Sequence, residues 1–288
     1  MSAETLGETG PSADASQAPA AAAGFFRADG DLLVPAPFAT SPWGQVLHGR
    51  LIGGLTARAV EQARAADPGL ACSRLTIDMF RSAAMSPVRV VVRPVRAGRR
   101  IAVIEVTVEQ DDTPVGQGKA LLLRRSEQPA GPFRPAPDWD APAPSQLGPP
   151  RSPATSRWTA PWQSWPVGPT RPDDPAIPVT GGMWIRDVHP LVTGEPPTPL
   201  VRAAMAADLA SPVSNYSTRG LSFINADYTL YLGRAPHGEY IGIQPAWHIS
   251  EAGVAAGQCV LHDENGPVGF VATAAVANQM MGARPTPA

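Results

Sequence analysis

The strongest helical pattern in the chain lies between residues 47 and 63. Apolar side chains recur there near the helical period, at every fourth position from Leu51 to Ala63. The same stretch contains Gly49, Gly53 and Gly54, although each glycine inside a helix costs about 1 kcal/mol relative to alanine. We therefore expect a helix that needs small residues because it lies close against a sheet along most of its length. A glycine in its first turn would also leave backbone N–H groups open beyond the helix N-terminus.

Strand-like runs separated by turn residues surround this helix. A short strand at 32–38 precedes it, and the turn Asp67-Pro68-Gly69 ends it. Four runs follow, which we expect to pair as an antiparallel meander. These predicted strands are residues 73–85, 88–95, 101–108 and 115–124.

The same order of elements returns later in the chain. A strand at 183–188 is followed by a helix at 199–210, with Thr198 as the candidate N-cap and Pro199 in the first turn. Four more strands are predicted at residues 221–232, 240–249, 254–262 and 268–277.

Two short sequence matches accompany the repeated order. Arg-Ser-Ala at residue 81 resembles Arg-Ala-Pro at residue 234, and Thr-Pro-Val-Gly at residue 113 resembles Gly-Pro-Val-Gly at residue 266. Both pairs lie 153 positions apart. The shared offset and the repeated element order indicate an internal duplication.

The segment between the two copies, residues 127–182, has a different composition. Residues 127–178 hold 15 of the 34 prolines of the chain, so neither a helix nor an inner strand is expected there. Tryptophans also lie in it, at positions 139, 158, 162 and 165. Because a free linker does not normally expose such side chains, we expect this connector to be pinned to the domain surfaces. An exposed aromatic peptide-docking motif is the alternative.

Composition and charge limit the classes of binding partner and the cellular compartments that we expect for this chain. The 288 residues, 43% of them hydrophobic, are enough for one large or two ordinary domains with a sizeable core. A net charge of −2 gives no electrostatic reason to expect nucleic acid. No apolar run predicts a membrane span and no signal-peptide pattern opens the chain, so the cytoplasm is expected. Cys72 and Cys259 lack metal-site spacing and suit a reduced compartment, with a single disulfide left open.

A helix wrapped by an antiparallel sheet, occurring twice in one chain, is similar to a double hotdog. Through residues 46–63, the stretch from Arg81 onward and residues 226–234, the chain resembles the type-II acyl-CoA thioesterase (TesB-like) family and, within it, the actinobacterial thioesterase-like branch. The resemblance implies an α+β double hotdog that forms homo-oligomers through its outer sheet faces. The expected organisation is a disordered tail (1–23), an N-terminal hotdog (24–126), the Pro/Trp-rich linker (127–182), a C-terminal hotdog (183–281) and a second tail (282–288).

Thioester hydrolysis needs donors for the carbonyl oxygen, a group that orients or activates water, and a channel for the acyl chain. Alternation along the strand at 221–232 places Asn225, Asp227, Thr229 and Tyr231 on one face. The family has a catalytic Asp at the place of Asp227, so the resemblance implies that Asp227 orients the attacking water or acts as a general base. The alternative is a face that is only solvated or lies at a domain interface.

The family pattern is incomplete around Asp227. The family's Asp works with a Thr or Ser at the end of the next strand and with a Gln on the last strand. Those positions fall near Ala246 and Ala274, whose side chains neither donate nor accept hydrogen bonds. His248, or Gln244 before it, could take the missing role, and His248 is the second catalytic candidate.

The start of the first helix supplies further candidates. His48-Gly49-Arg50 resembles the His-Gly-Gly start of many hotdog helices, and Gly49 is expected to offer its backbone N–H to the thioester carbonyl. His48 is a candidate acid or base, and a structural histidine hydrogen-bonded near the helix start is the alternative that we favour. The predicted substrate-binding residues are His48, Arg50, Asn225 and Thr229.

Two further charged features each have a functional and a structural interpretation. Asp208, on the second helix, matches an acidic position of the family, and a solvated or capping carboxylate is the alternative. Arginines 93, 96, 99 and 100 surround the Ala97-Gly98 turn. They suit the phosphates of coenzyme A, and they equally suit a solvated hairpin edge.

The sequence therefore predicts hydrolysis of a fatty acyl-CoA thioester to the free acid and coenzyme A, with no metal ion or cofactor. A non-catalytic or weakly active acyl-thioester binder is the alternative, which an apolar ring around Asp227 would favour. A structural interaction module is a third interpretation and requires exposed tryptophans in the connector. The expected partners are the acyl-CoA substrate and further copies of the chain.

Overall fold

The computed structural model contains one long antiparallel sheet that carries its helices on one face. It describes residues 22–136, 138–154, 158–170, 178, 181–217 and 220–278. The predicted tails lie outside these ranges, except for residues 22 and 23. None of the helices in the described ranges is long and apolar enough to cross a membrane.

The N-terminal half contains the predicted helix, α1 (Gly49–Ala63), surrounded by strands. These are β1 (Phe26–Asp29), β2 (Leu32–Pro35), β3 (Thr40–Ser41), β4 (Gly44–Leu47), β5 (Leu70–Met79), β6 (Val88–Ala97), β7 (Ile101–Gln110) and β8 (Thr113–Arg124). The predicted elements are confirmed to within a few residues, apart from the strand at 73–85. That strand ends at Met79, because residues 80–87 leave the sheet.

The connector contributes β9 (Trp162–Pro166), and the C-terminal half repeats the pattern of the first. Its elements are β10 (Met183–Asp187), α2 (Pro199–Ala207), α3 (Ala210–Asn215), β11 (Tyr216–Ser217), β12 (Gly220–Leu221), β13 (Phe223–Asn225), β14 (Asp227–Leu232), β15 (Ile241–Glu251), β16 (Val254–Asp263) and β17 (Gly266–Ala277). Thr198 caps α2 as predicted, because its Oγ1 accepts a hydrogen bond from Val201 N at 3.2 Å.

The order of strands corrects the predicted meander. Among the described residues, neighbours in the main sheet follow the order β1-β2-β6-β7-β8-β5-β14-β17-β16-β15-β10-β9, with β13 also paired to β17. The last three long strands of each half form a meander, but the first one, β5 or β14, pairs with the last, β8 or β17. Residues 80–87 therefore connect β5 to β6 across the meander of the first half, and residues 233–240 connect β14 to β15 across that of the second half.

The two halves join through the antiparallel pairing of β5 with β14. Thr76 pairs with Thr229, and these residues are separated by 153 positions. Because this separation equals the offset of the sequence repeat, equivalent residues face each other at a pseudo-two-fold axis. The predicted α+β double hotdog is confirmed.

Small residues let α1 lie deep in the fold. A Cβ atom on Gly53 would lie 1.7 Å from Tyr228 Oη of β14, and one on Gly118 of β8 would lie 2.2 Å from Thr56 Cγ2. A Cβ on Gly54 would lie 2.9 Å from Met205 Cγ of α2. The predicted close approach to the sheet is therefore present, and α1 uses Gly54 to approach the second helix as well.

The connector is pinned to the sheet edge where the structure describes it. β9 pairs with β10, and Trp162 and Trp165 are 4% and 6% exposed. Trp184 Nε1 donates to Pro142 O at 3.0 Å, and the Trp139 ring packs on that of Trp184. The prolines at 161 and 166 flank or end β9, so an edge strand is possible despite them. The buried tryptophans do not support an exposed docking motif, and the predicted domain boundaries stay predictions.

Candidate active site

The two main helices pack antiparallel, so the N-terminus of α1 meets the C-terminal end of α2. His48 caps α1, and Asp208 is the first residue after α2. His48 Nδ1 lies 3.4 Å from Asp208 Oδ2, and both side chains are largely buried. A carboxylate is thus held beside a helix N-terminus, where partial positive charge accumulates.

Asn225 reaches the same carboxylate from β13. Its Nδ2 donates to Asp208 Oδ1 at 2.8 Å. Asn225 of β13 pairs with Ala275 of β17, and Thr229 of β14 pairs with Ala272. The four residue steps from Asn225 to Thr229 therefore lie opposite only three residue steps on β17. This extra residue forms a β-bulge, which inverts the alternation of side chains. The prediction that Asn225 and Asp227 share a face is therefore wrong, since Asn225 points toward the helices.

The surroundings of Asp208 favour its ionised form. Burial alone would raise the pKa of the Asp208 carboxyl, but hydrogen bonds from His48 and Asn225 and the nearby charge of Arg50 outweigh burial and hold the pKa below its usual value. His48 Nδ1 is also 3.4 Å from Arg50 N. A protonated Nδ1 donates to Asp208, whereas an unprotonated Nδ1 accepts from the Arg50 amide.

The first residue of α1 leaves its backbone donor free. Among the described residues, nothing accepts a hydrogen bond from Gly49 N–H. A Cβ atom on Gly49 would lie 2.8 Å from Met79 Sδ and 3.3 Å from Asp208 Oδ1. Glycine therefore keeps the space between the helix N-terminus and the carboxylate open.

Two cavities meet at this group. We call the first the aromatic chamber, with about 640 Å³ of empty space that includes open solvent. Its aromatic lining residues are Trp43, Trp158, Trp162, Tyr216 and Phe223. We call the second the Arg81 chamber, with about 800 Å³ counted in the same way. It is lined by Gly49, Met79, Arg81 and Ser82 among others, and both chambers share Trp43, His48, Asp208 and Asn225.

Besides Arg50, three predicted site residues line neither chamber. Asp227 Oδ1 accepts a hydrogen bond from Ala274 N at 2.7 Å, and burial, with a smaller contribution from the Asp78 charge, raises the pKa of its carboxyl. The other two candidates are bound elsewhere: Thr229 Oγ1 is 3.1 Å from Thr76 Oγ1, and the ring nitrogens of His248 lie 2.7 Å from Asn215 Oδ1 and 2.8 Å from Ser250 Oγ. The structure does not bring Asp227, Thr229 or His248 together with His48 and Gly49.

Arg50 has a structural position. Its side chain is fully buried, with Nη2 2.5 Å from Asp187 Oδ1 and Nε donating to Met205 O at 3.3 Å. The guanidinium also lies over the Trp162 ring, 4.7 Å from its centroid. A side chain without exposed surface cannot contact a substrate in this arrangement. Arg50 instead ties α1 to β10, α2 and the connector.

The opposite end of the helix pair is related to the site by the pseudo-two-fold axis, but its chemistry differs. There the N-cap of α2, Thr198, donates from Oγ1 to Glu61 Oε2 near the end of α1 at 2.5 Å. The first residue of α2 is Pro199, which has no N–H. Arg58 and Glu195 form a bidentate ion pair beside it, with distances of 2.7 and 2.6 Å. This end offers no counterpart of the free Gly49 donor.

Sequence reasoning noted Asp208 without choosing it. It was noted for its match to an acidic position of the family. A second signal in the sequence is an acidic residue at the C-terminal end of an apolar helix, where the helix dipole disfavours negative charge. The contribution of Trp158 and Trp162 to the site could not be inferred, because it depends on how the connector folds back. In the ranges that the structure describes, no group of three or more His, Cys, Asp or Glu residues could hold a metal ion. Cys72 and Cys259 are both free.

The fold and the site define a double-hotdog protein with one polar centre between two chambers, and comparison with known proteins agrees. Residues 39–123 match the acyl-CoA thioesterase N-terminal domain, and residues 127–276 match the acyl-CoA thioesterase C-terminal domain. The chain therefore belongs to the acyl-CoA thioesterase family, whose TesB-like members it resembles. It is an acyl-CoA thioester hydrolase by that membership. Its place in the actinobacterial branch stays a prediction.

Solved structures share the fold at low sequence identity. Acyl-CoA thioesterase II TesB2 from Mycobacterium marinum is 16% identical, with a TM-score of 0.57 over 90% of this chain and 96% of its own. The tesB protein of Mycobacterium avium subsp. paratuberculosis is 17% identical, with a TM-score of 0.57 over 87% and 94%. A hot dog fold protein from Alicyclobacillus acidocaldarius is 18% identical, with a TM-score of 0.60 over 88% and 95%. A comparison with curated proteins gives no match.

Proposed function

We propose that Asp208 orients the hydrolytic water and accepts its proton, while Gly49 N–H polarises the thioester carbonyl. The observation that carries this proposal is the position of Asp208 beside the open N-terminus of α1, held by Asn225 Nδ2 at 2.8 Å and His48 Nδ1 at 3.4 Å. These contacts leave lone pairs of the carboxylate free to accept from water. We thus assign to Asp208 the role predicted for Asp227.

In the proposed reaction, water adds to the carbonyl carbon and its proton passes to the Asp208 carboxylate. The electron pair of the C=O bond moves to oxygen, where Gly49 N–H and the N-terminus of α1 stabilise the negative charge. The C–S bond then breaks, and the coenzyme A thiolate takes the proton from Asp208. The products are the free acid and the thiol, and Asp208 is ionised again.

The Arg81 chamber suits the coenzyme A side of the substrate. Arg81 and Ser82 are exposed at its lining, while Asp208 is buried and Gly49 is half-buried. A guanidinium at an opening favours anionic groups such as phosphates. The thioester would then reach the N-terminus of α1 with its acyl group directed away from Arg81.

We also propose a cytoplasmic homo-oligomer. The outer face of the sheet exposes Tyr231 and Phe270, whose stacked rings lie 4.8 Å apart next to the pseudo-two-fold axis. Exposed apolar side chains on a sheet face favour association, and the free thiols of Cys72 and Cys259 are consistent with a reducing compartment. Light scattering at several concentrations measures the assembly, and Tyr231→Lys should shift it toward the monomer.

Paired carboxylate variants test the catalytic assignment. Asp208→Asn should lower kcat for acyl-CoA hydrolysis by about 10²–10³-fold, while Asp227→Asn should retain activity within about threefold. Both variants are the same isosteric change, so a general effect of charge removal appears in both. Loss of activity in Asp227→Asn alone would return the role to Asp227.

A further inference from the structure

The aromatic chamber has a composition that a simple alkyl tunnel does not require. We infer that it receives the acyl group of the substrate and selects compact aromatic acyl groups over straight alkyl chains of the same carbon number. This inference rests on the proposed function, because it takes the thioester to lie between His48, Gly49 and Asp208.

The walls of the chamber present ring edges and faces at different angles. Trp158 and Trp162 meet edge to face, with centroids 5.6 Å apart and an interplanar angle of 63°. The His48 ring meets Trp162 at 82° with centroids 5.5 Å apart. Aromatic pairs favour such edge-to-face and offset arrangements, and each is worth roughly two- to tenfold in affinity beyond the buried area. A planar acyl group that packs against the half-buried Trp158 ring gains a contact of this kind, whereas an alkyl chain gains only burial.

The rings are fixed before a ligand binds. Trp158 Nε1 donates to Thr40 O at 2.9 Å, which ties the indole to the strand that follows Ala39. Trp162 is held by the pairing of β9 with β10 and by Arg50 over its face. Prolines 42, 153 and 212 complete the lining with side chains that cannot rotate. Such a wall loses little conformational entropy when it binds a rigid group.

Charge directs the acyl group rather than coenzyme A into this chamber. Among the described residues that line it, Asp208 is the acidic member and His48 the imidazole, and both belong to the polar centre. Tyr216 contributes a phenol, and the lining contains no Lys or Arg among these residues. The cation at the site is Arg81, in the other chamber. The phosphates of coenzyme A are therefore directed toward Arg81, and the acyl group toward Trp158 and Trp162.

The test compares phenylacetyl-CoA with octanoyl-CoA, because both acyl groups contain eight carbons. We expect the wild-type protein to prefer phenylacetyl-CoA by about tenfold in kcat/KM. Trp158→Leu should abolish most of this preference, while Trp158→Phe should retain part of it. Trp139→Leu is the matched control, since Trp139 is another half-buried connector tryptophan and packs on Trp184 outside the chamber.

Binding of non-hydrolysable thioether analogues of the same two substrates separates this inference from the proposed function. Preference for the phenylethyl thioether without turnover of either substrate would support the aromatic chamber and overturn the catalytic proposal. Turnover of both substrates with equal kcat/KM, or a preference for octanoyl-CoA, would overturn the inference and leave the hydrolase intact. Equal loss of preference in Trp158→Leu and Trp139→Leu would also overturn it, because selectivity would then follow general connector packing.

Discussion

Thr76 and Thr229 are hydrogen-bonded partners across the junction of the two halves, and they are also equivalent residues of the duplication. Their Oγ1 atoms lie 3.1 Å apart, and 153 positions separate them in the chain. A residue pair on a two-fold axis must be made of equivalent positions. The sequence offset of the repeat therefore also gives the register in which β5 and β14 pair.

The first prediction concerns this threonine pair. Thr229→Val should destabilise the protein by about 0.5–1 kcal/mol, because Thr76 Oγ1 loses its partner. The double variant Thr76→Val/Thr229→Val should recover most of the loss, since valine suits a strand and no hydroxyl remains unpaired. Urea unfolding of the four proteins measures the coupling. The KM for acyl-CoA should be unchanged in Thr229→Val. A raised KM would instead support the substrate contact that the sequence predicts for Thr229.

The second prediction concerns the close approach of α1 to β14. Gly53→Ala should cost about 2–3 kcal/mol of folding free energy, because its Cβ would lie 1.7 Å from Tyr228 Oη and disturb the bond from that hydroxyl to Ala204 O. Adding Tyr228→Phe removes the clashing atom. Thermal unfolding should thus show the double variant to be more stable than the sum of the single effects predicts, and simple additivity would contradict the clash.

The third prediction concerns the buried Arg50. Arg50→Lys should destabilise the protein by about 3 kcal/mol, because an ammonium group cannot serve Asp187, Met205 O and the Trp162 face together. Arg50→Met should cost more, since it leaves the Asp187 carboxylate unpaired. In Arg50→Met/Asp187→Leu the loss should be smaller than in Arg50→Met. Urea unfolding measures the series, and equal stability of Arg50→Met and the double variant would show that Asp187 does not need its partner.

The fourth prediction is a pH dependence from His262. Burial lowers the pKa of this imidazole from 6.5 to about 4, with Asp263 opposing and Arg234 adding to the shift. Between these two pH values the unfolded chain binds the proton more readily than the folded one. Stability is therefore fully present above pH 6.5 and falls by up to about 3 kcal/mol as the pH drops toward 4.

His262→Gln isolates this contribution. Its unfolding free energy should vary less with pH across that window than the wild-type value, while the carboxylates that titrate there are common to both proteins. The two proteins are compared by the slope of unfolding free energy against pH. A constant loss of stability from the changed contact with Gln244 does not alter that slope. Parallel slopes would assign the acid sensitivity to other groups.

Local patterns predict most of the fold and fail where a single residue changes the register. Along β14, Tyr228 and Leu230 are fully buried while Tyr231 is exposed, which is the alternation of a strand with one buried face. The alternation fails at Asn225, because the bulge before Thr229 depends on the pairing with β17 and leaves no trace in the alternation of the strand itself. The assignment to Asp227 rested on the family resemblance together with that unbroken alternation.

The remaining part of the site depends on packing between distant segments. His48 and Gly49 could be identified because a helix start has a local signature. Their contact with Asp208 arises from the antiparallel packing of two helices, and Trp158 arrives from a proline-rich connector with no periodic pattern. These contacts could not be predicted because the residues are far apart in the sequence, and not because their secondary-structure propensities are weak.

Gly49 and Pro199 are the first residues of α1 and α2, and under the proposed function this difference predicts one active site in each chain. Of these two residues only Gly49 has a backbone N–H, so a chain with two related folds should titrate with one equivalent of a non-hydrolysable acyl-CoA analogue. The opposite end of the helix pair, which lacks this donor, is held together by the hydrogen bond between Thr198 and Glu61 and by the Arg58–Glu195 ion pair. The two copies of the duplicated hotdog therefore have different parts in the proposed site. The first copy supplies the Gly49 backbone donor, and the second supplies the Asp208 carboxylate that faces it.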